Sequence, residues 1–242
     1  MTPPPPIAMI MAGGKGHRMH PFTEAMPKAL LPVGNTILLD ILASQLHQAG
    51  CRDLVISLGR LAPVIRAYCG GRTLPLPVRF VEETSPLGTA GALALLDAAP
   101  HGVLVINCDV LTDARFADLI ARHHARAADI TVLGVVHTRR LQFGVLESNP
   151  DGRLTGWHEG LEHRYTGAAG VYMIGPRALA LISDGERLDM PELVHRVMES
   201  RGLVQVHTHE GAWYDLGTPP IYDEGVAAFT ASPERFGVPR HA

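Results

Sequence analysis

Lysine is scarce in this chain, and its two occurrences flank a segment that could bind phosphate. Of the 21 basic residues among 242, only Lys15 and Lys28 are lysines, and they lie within fourteen residues of each other. Base composition can explain the excess of arginine, but not this placement. A lysine ammonium is a compact point charge and arginine a wide planar fork, so a tight phosphate pocket that needs one donor resists the exchange. The two lysines therefore predict phosphate binding.

The first of the two lysines, Lys15, lies within a glycine-rich loop, AGGKGHRMHPFT, at residues 12–23. Glycines allow positive φ and let backbone N–H groups approach phosphate closely, while Lys15 and Arg18 add positive charge. The loop lacks the glycine, lysine and hydroxyl spacing of the P-loop and the third glycine of the dinucleotide fingerprint. A tight turn from a strand to a helix would explain it equally well. The loop alone therefore leaves both interpretations open.

The next segment, MPKALLPVGNTILLD at residues 26–40, narrows the choice. Pro27 restricts the backbone just ahead of Lys28, and a lysine on a braced loop can be aimed. Together, residues 9–40 resemble the signature of the sugar-phosphate nucleotidyltransferase family, with a glycine-rich loop, a Pro-Lys-x-Leu element and a Pro-Val-Gly turn. Further matches extend the resemblance over nearly the whole chain. They are EETSPLGTAGALALL at residues 82–96, INCDVLTD at residues 106–113 and WYDLGTPPIY at residues 213–222.

The resemblance implies an enzyme that joins a nucleoside triphosphate to a sugar 1-phosphate and releases pyrophosphate, with Mg²⁺ as its cofactor. This chemistry needs charge neutralisation and in-line alignment, and no Ser or Cys nucleophile. A lone aspartate after a strand usually forms a turn or caps a helix. Asp109 and Asp215, however, both lie in motifs that match the family, and together they favour metal ligation. The implied catalytic residues are Arg18 on the leaving pyrophosphate, Lys28 near the α- and sugar phosphates, and Asp109, which holds the metal with Asp215. The implied nucleotide-binding residues are Ala12, Gly13, Gly14, Lys15, Gly16, Glu83, Gly88 and Thr89, and those for the sugar phosphate are Gly144, Glu159 and Gly170.

The choice of base depends on Glu83, which lies five residues before Gly88, where the family places a side chain that reads the base edge. A carboxylate only accepts hydrogen bonds, which suits the paired N–H donors of guanine and equally the single N3–H of uracil. The stretch LGTAGA at residues 87–92 looks most like guanylyltransferases that act on mannose- or heptose-type 1-phosphates, and so favours GTP. The alternatives are a uridylyl- or cytidylyltransferase on another phosphorylated acceptor, and a non-catalytic regulatory protein that binds nucleotide sugars.

Three positions depart from the family pattern, two of them on the acceptor side. His17 stands in place of the usual threonine, Ala168 in place of an asparagine, and the lysine expected after Glu159 is Gly160. Recognition of the acceptor should therefore differ from the common pattern. The missing cation could be replaced by one of three nearby side chains, which could equally be solvent-facing loop residues. They are His158, His163 and Arg164.

Short apolar runs that alternate with helical patterns must position these residues. A series of βα units predicts an α/β fold with a Rossmann-like, doubly wound mixed sheet, whose ligands bind beyond the carboxyl ends of its strands. Short alternating runs after residue 137 predict a small antiparallel substrate-side lobe. We expect one domain over residues 1–242, with a nucleotide-binding core at about 7–136 and a sugar-phosphate-binding portion at about 137–230. The predicted strands are 7–12, 53–58, 78–81, 103–107, 130–136, 144–147, 153–157, 169–174 and 203–207, and the predicted helices 37–49, 62–68, 90–98, 116–127, 176–182, 191–199 and 219–228.

Composition excludes several classes of protein. Hydrophobic residues make up 46% and charged residues 19%, the net charge is −3, and no basic stripe indicates nucleic acid or a membrane surface. Three cysteines without CxxC spacing predict neither a disulfide framework nor a zinc site, and fit a reducing cytoplasm. No leader or membrane span is expected. The expected partners are a nucleoside triphosphate and a sugar 1-phosphate, and a homo-oligomer is compatible with this composition.

Overall fold

The computed structural model describes residues 5–14, 19 and 22–239. Its strands are short except for β8 and β11, which are 11 and 13 residues long. In chain order they are β1 (Ile7–Ala12), β2 (Pro32–Val33), β3 (Thr36–Ile37), β4 (Leu54–Leu58), β5 (Val78–Glu82), β6 (Val103–Asn107), β7 (Val110–Thr112), β8 (Ile130–Arg140), β9 (Val145–Ser148), β10 (Leu154–His158), β11 (Glu162–Ile174), β12 (Val204–His209) and β13 (Trp213–Asp215).

Helices lie between some of these strands along the chain. Short 3₁₀ turns occur at Lys28–Leu30, Ala92–Leu95 and Pro233–Phe236. The α-helices are α1 (Phe22–Ala25), α2 (Leu38–Gln48), α3 (Ala62–Gly70), α4 (Gly88–Gly91), α5 (Phe116–Ala125), α6 (Pro176–Leu179), α7 (Met190–Glu199) and α8 (Pro219–Ala231).

Seven strands form one central sheet in the order β12-β8-β11-β6-β1-β4-β5. Six of them run in the same direction, and β11 runs antiparallel to both of its neighbours, β6 and β8. The carboxyl ends of β1, β6 and β8 therefore meet at one edge of the sheet. This edge is where an open α/β sheet binds ligands.

Strand β1 shows why the sheet is covered on both faces. Its sequence, IAMIMA, is apolar throughout and does not alternate, as expected of a strand that is buried on two sides. Ala8 and Ile10 pack into a cluster with residues of α2 and α5, whereas Ile7 and Met9 pack into a second cluster with residues of α4 and α7. Helices thus lie on both faces, and the predicted doubly wound mixed sheet is confirmed.

The predicted antiparallel lobe is present and larger than expected. Strands β8 and β11 continue beyond the edge of the central sheet, where Arg140 pairs with Glu162 and His137 with Tyr165. The two-stranded β9–β10 hairpin follows β8 in sequence. Prediction from apolar runs ended β8 at residue 136 and began β11 at residue 169, because residues 137–140 and 162–166 are largely polar and mostly exposed. We call this two-stranded extension, residues 136–140 with 162–166, the arm.

Two predicted helices are shorter than expected. The helix predicted at 90–98 is a single α-turn, α4, followed by a 3₁₀ turn that ends at Leu95. A Cβ on Gly91 would lie 2.3 Å from the carbonyl oxygen of Glu186. This turn therefore packs closely against the segment before α7. The helix predicted at 176–182 ends at Leu179. Among the residues that the structure describes, no helix combines the length and apolar character needed to cross a bilayer.

Candidate active site

The glycine-rich loop leaves the sheet at the carboxyl end of β1. Gly13 is in contact with two neighbouring segments: a Cβ on Gly59 would lie 2.5 Å from the Gly13 carbonyl oxygen, and a Cβ on Gly13 would lie 2.4 Å from Oε1 of Glu83. Only residues without side chains allow this approach. Ala12, Gly13 and Gly14 thus lie at the ligand-binding edge. The remaining loop residues that the sequence singles out lie outside the described part of the chain: Lys15, Gly16, His17 and Arg18.

Glu83 is anchored beside this loop. Its Oε1 accepts a hydrogen bond from Ser57 Oγ at 2.5 Å, and its Oε2 accepts one from the backbone N–H of Leu87 at 3.0 Å. Ser57 is the one polar residue of the buried strand β4, and sequence reasoning did not select it. Ser57 could have been found as the one hydroxyl in an apolar strand that ends at the ligand-binding edge of the sheet. Through these contacts Glu83 joins β4, the glycine-rich loop and the turn before Gly88.

Lys28 and Asp109 form the central ion pair of the site. Pro27 precedes the 3₁₀ turn that begins at Lys28, and Asp109 follows the end of β6 by two residues. Lys28 Nζ lies 2.6 Å from Asp109 Oδ2, and the two side chains are 13% and 15% exposed. An ion pair this close and this poorly hydrated is much less screened than one on the surface. The structure thus brings together two of the residues that the sequence selected.

Cys108 lies between these elements, next to Asp109 in the sequence. It is buried, and burial raises the pKa of its thiol to about 12, with a smaller contribution from the charge of Asp109. The reactive form of cysteine is the thiolate, which this environment suppresses at neutral pH. Cys108 therefore forms part of the wall of the site.

Asp215 reaches the same place from the far end of the chain. Strand β13 pairs antiparallel with β7, with Asp215 opposite Val110, and the N–H of Leu216 donates to the carbonyl oxygen of Asp109 at 2.8 Å. The N–H of Gly217 donates to Asp215 Oδ1 at 3.0 Å. The backbones of the two aspartates are thus held side by side. Sequence reasoning selected Asp215 but missed this short ladder.

The donor set fits a hard divalent cation. Across the described ranges no group of three or more His, Cys, Asp or Glu side chains is placed to hold a metal. Mg²⁺ does not require such a group, because it retains several waters and is usually held by one or two carboxylates together with substrate phosphates. Asp109 and Asp215 on neighbouring backbone segments supply two carboxylates of the right chemistry.

The Gly88 turn is joined to α7 by hydrogen bonds. Gly88 has φ +79°, and a Cβ there would lie 2.5 Å from the Leu188 carbonyl oxygen. The N–H of Thr89 donates to Asp189 Oδ1 at 2.9 Å, and Thr89 Oγ1 accepts from the N–H of Met190 at 2.8 Å. Sequence reasoning missed Asp189, whose partner lies 100 residues away. The turn that was predicted to contact the base is therefore positioned from α7.

The residues predicted for the sugar phosphate fall in two places. A Cβ on Gly144 would lie 2.7 Å from Trp157 Nε1 and 2.8 Å from Glu159 Oε1, and the indole N–H donates to that oxygen at 2.6 Å. Gly144 and Glu159 are therefore neighbours. Gly170 has φ +73° and lies against Asn107, two residues before Asp109. Gly170 thus lies beside the end of β6, the strand that leads to Asp109, while Gly144 and Glu159 lie in the lobe.

The three side chains considered as replacements for the missing lysine have other contacts. His158 lies 3.2 Å from Glu147, and Arg164 lies 2.6 Å from Glu210. His163 stacks on Tyr165, with ring centroids 5.6 Å apart. Two of the three candidates, His158 and Arg164, therefore have carboxylate partners on the lobe surface.

Comparison with known proteins identifies the family. A sequence model described as nucleotidyl transferase matches residues 7–232, which include the described loop glycines, the ion pair and Asp215. The chain belongs to the nucleotidyl transferase family. The resemblance predicted from its motifs is confirmed.

Several curated relatives in the family are guanylyltransferases. The chain is 29% identical over 227 residues to a mannose-1-phosphate guanylyltransferase of Mycobacterium tuberculosis, which covers 91% of this chain and 63% of the relative. It is 28% identical over 241 residues to a mannose-1-phosphate guanyltransferase of Schizosaccharomyces pombe, which covers 93% of this chain and 64% of the relative. The chain thus spans a little under two thirds of the length of these relatives.

Solved structures share the fold of this family member. The crystal structure of HddC from Yersinia pseudotuberculosis superposes with a TM-score of 0.70 at 20% identity, covering 93% of this chain and 99% of that chain. The same protein complexed with GMP-PN superposes equally well, again with a TM-score of 0.70 at 20% identity. At this identity, the likeness establishes the fold.

Proposed function

We propose that the chain transfers a nucleotidyl group from GTP to a sugar 1-phosphate of mannose or heptose type, with Mg²⁺ and with release of pyrophosphate. The observation that carries the proposal is the Lys28–Asp109 ion pair, 2.6 Å long, held beside the backbone of Asp215 at the carboxyl edge of the sheet. The curated relatives named mannose-1-phosphate guanylyltransferase and mannose-1-phosphate guanyltransferase support the substrates, as does the structural neighbour complexed with GMP-PN.

The reaction needs little covalent chemistry from the protein. An oxygen of the sugar phosphate attacks the α-phosphorus, and the bond to the β-phosphate oxygen breaks, so pyrophosphate leaves with the electron pair. The obstacle is repulsion among crowded anionic oxygens, so the protein contributes positive charge and alignment. In the proposed reaction Lys28 donates to an α-phosphate oxygen, and Arg18 neutralises the leaving pyrophosphate.

Asp109 and Asp215 would hold Mg²⁺ in this scheme. A bound Mg²⁺ supplies further positive charge to the phosphate oxygens. Lys28 holds the Asp109 carboxylate in place from a distance of 2.6 Å, and the Gly217 N–H fixes one oxygen of Asp215. The two carboxylates are thus oriented by the protein itself, which lowers the cost of assembling the site.

Guanine recognition is assigned to Glu83 and the Gly88 turn, and this assignment stays a prediction. Each oxygen of Glu83 already accepts one hydrogen bond, from Ser57 or from Leu87. A carboxylate oxygen has two lone pairs, so each oxygen of Glu83 can still accept an N–H donor of a base.

The three cysteines, all free thiols, support a cytoplasmic location for the reaction.

The deciding experiment is a pyrophosphate-release screen that crosses the common nucleoside triphosphates with a panel of sugar 1-phosphates in the presence of Mg²⁺. We expect turnover with GTP and a mannose- or heptose-type 1-phosphate. Turnover only with UTP or CTP would assign the chain to a uridylyl- or cytidylyltransferase instead. If no pair turns over while a nucleotide sugar binds, the chain is a regulatory binder and the proposal is wrong.

Asp109→Asn tests the metal assignment on the substrate pair found in the screen. The variant removes one anionic ligand and the partner of Lys28, so we expect turnover to fall on the order of 100- to 1,000-fold. Asp118→Asn is the control, because Asp118 lies in α5 with its side chain 54% exposed. Undiminished turnover by Asp109→Asn, at any Mg²⁺ concentration, would remove Asp109 from the catalytic residues.

A further inference from the structure

A cleft opens where the arm meets the β9–β10 hairpin. It has a volume of about 590 Å³, and its lining includes Arg139, Arg140, Gly144, His163 and Tyr165. Gly144 also contacts Glu159, so the cleft includes part of the predicted acceptor site. A sugar phosphate that binds at Gly144 and Glu159 needs a cation within reach of its phosphate.

Arg140 places its guanidinium at this position. A Cβ on Gly160 would lie 2.8 Å from Nη2 of Arg140 and 3.2 Å from its Nε. Gly160 follows Glu159 directly and has φ +65°, a conformation that favours glycine. The absence of a side chain at residue 160 thus lets Arg140 lie across the backbone next to Glu159.

The charge of Arg140 is available. His158 and Arg164 have carboxylate partners at 3.2 and 2.6 Å. Over residues 5–14, 19 and 22–239, no carboxylate lies within 4.0 Å of the Arg140 guanidinium. A guanidinium with unused donors is well suited to bind two oxygens of one phosphate.

We propose that Arg140 binds the phosphate of the acceptor and determines the preference of the site for a phosphorylated sugar. This inference rests on the proposed function, because it takes the cleft at Gly144 and Glu159 to be the acceptor site. Arg140 supplies from β8 the positive charge that residue 160 does not provide. Its planar fork orients the sugar phosphate by two parallel hydrogen bonds.

Arg140→Ala is the direct test, with steady-state kinetics on the substrate pair found in the screen. We expect the KM for the sugar 1-phosphate to rise about 10- to 100-fold, because a charge-assisted hydrogen bond is lost, while the KM for GTP changes less than about twofold. Arg140→Lys keeps the charge without the fork, so its rise should be smaller. Arg153→Ala is the control, since Arg153 is an exposed cation in the same lobe that does not line the cleft.

Calorimetric titration separates binding of the phosphate from a structural role. We expect Arg140→Ala to lose affinity for the sugar 1-phosphate about 10- to 100-fold and to bind the free sugar as the wild type does. Circular dichroism checks that both variants are folded. An unchanged KM for the acceptor, an equal rise in both KM values, or an effect seen in Arg139→Ala instead would overturn the inference. If the screen finds no turnover, the proposed function fails, yet the same titrations with sugar 1-phosphates still decide the role of Arg140.

Discussion

His123 is a buried imidazole that makes the stability of the fold depend on pH. It is 4% exposed, and its Nδ1 lies 3.0 Å from Thr131 Oγ1. Burial lowers its pKa to about 4, with a smaller contribution from His124, whereas the unfolded chain has the ordinary value of about 6.5. The unfolded state therefore binds more protons between these values. We expect the contribution of His123, up to about 3 kcal/mol, to be complete above about pH 6.5 and to be lost as the pH falls towards about 4.

Urea unfolding from about pH 7 down to about pH 5 measures this effect. The free energy of unfolding of His123→Asn should fall less steeply over that range than that of the wild type, because the asparagine amide can bond Thr131 without titrating. His195→Asn is the control, because His195 is exposed on α7. Parallel pH profiles for the wild type and His123→Asn would show that another group carries the dependence.

At the scale of single residues, the sequence allowed selection of residue types suited to phosphate and metal, but not of the residues that support them. Lys28 and Asp109 could be selected because each follows a recognisable element, and the structure places them 2.6 Å apart. Ser57 and Asp189 could not be selected from the sequence, because their hydrogen-bond partners, Glu83 and Thr89, lie 26 and 100 residues away. Arg140 was missed for the same reason. Its contact is with the backbone of Gly160, a residue noticed only for lacking a side chain.

At the scale of elements, Asp189 connects the start of α7 with the Gly88 turn. Its carboxylate accepts from the Thr89 N–H at 2.9 Å, and its own N–H donates to Glu192 at 2.9 Å. Asp189→Ala should destabilise the protein by about 1–2 kcal/mol, as expected for a lost helix cap, and raise the KM for the nucleotide. Asp184→Ala, at an exposed position in the preceding loop, serves as the control. Thermal unfolding and steady-state kinetics are measured on the same samples. A fall in stability with an unchanged KM for the nucleotide would contradict this coupling.

Apolar strands of five or more residues were predictable, and very short or polar strands were not. β1, β4 and β6 are apolar runs that begin and end within one residue of their predicted bounds. The arm and the β7–β13 ladder were missed because three-residue strands and polar strands have no apolar run to detect. Their pairing depends on distant segments, so no local pattern indicates it.

At the scale of the whole molecule, we expect the chain to unfold in one step. The portion after residue 137 contributes β11 and β12 to the same seven-stranded sheet as the preceding portion, so this central sheet belongs to neither portion alone. The two tryptophans report on different regions, since Trp157 is exposed on β10 and Trp213 donates to the Ala169 carbonyl oxygen. Circular dichroism and the fluorescence of Trp157→Phe should follow one coincident transition in urea.

Trp213→Phe provides the matched variant, because only Trp157 then reports. A fluorescence midpoint for Trp157 well below the midpoint of circular dichroism would mean that the lobe unfolds by itself. The division into portions at about residue 137 would then be a division into domains.

The composition of the sheet was predictable from the sequence, but its order was not. The runs that become strands are visible as apolar segments, and their alternation with helices indicates a doubly wound fold. The insertion of β11 between β6 and β8 leaves no local trace, since it is decided by competition among all available strand edges. The bulge between Ala168 and Tyr172, where the arm joins the sheet, is likewise a property of the assembled sheet.

The position of β11 also has a consequence for biosynthesis. A ribosome completes β6 some 60 residues before the part of β11 that pairs with it, a delay of roughly several seconds at ordinary elongation rates. During that interval the outer edge of Val103–Asn107, with the sequence VLVIN, has no partner within the nascent chain. An apolar unpaired edge is a template for pairing with another polypeptide. Yield during expression should therefore depend on translation speed and on chaperone capacity more than the stability of the finished protein would suggest.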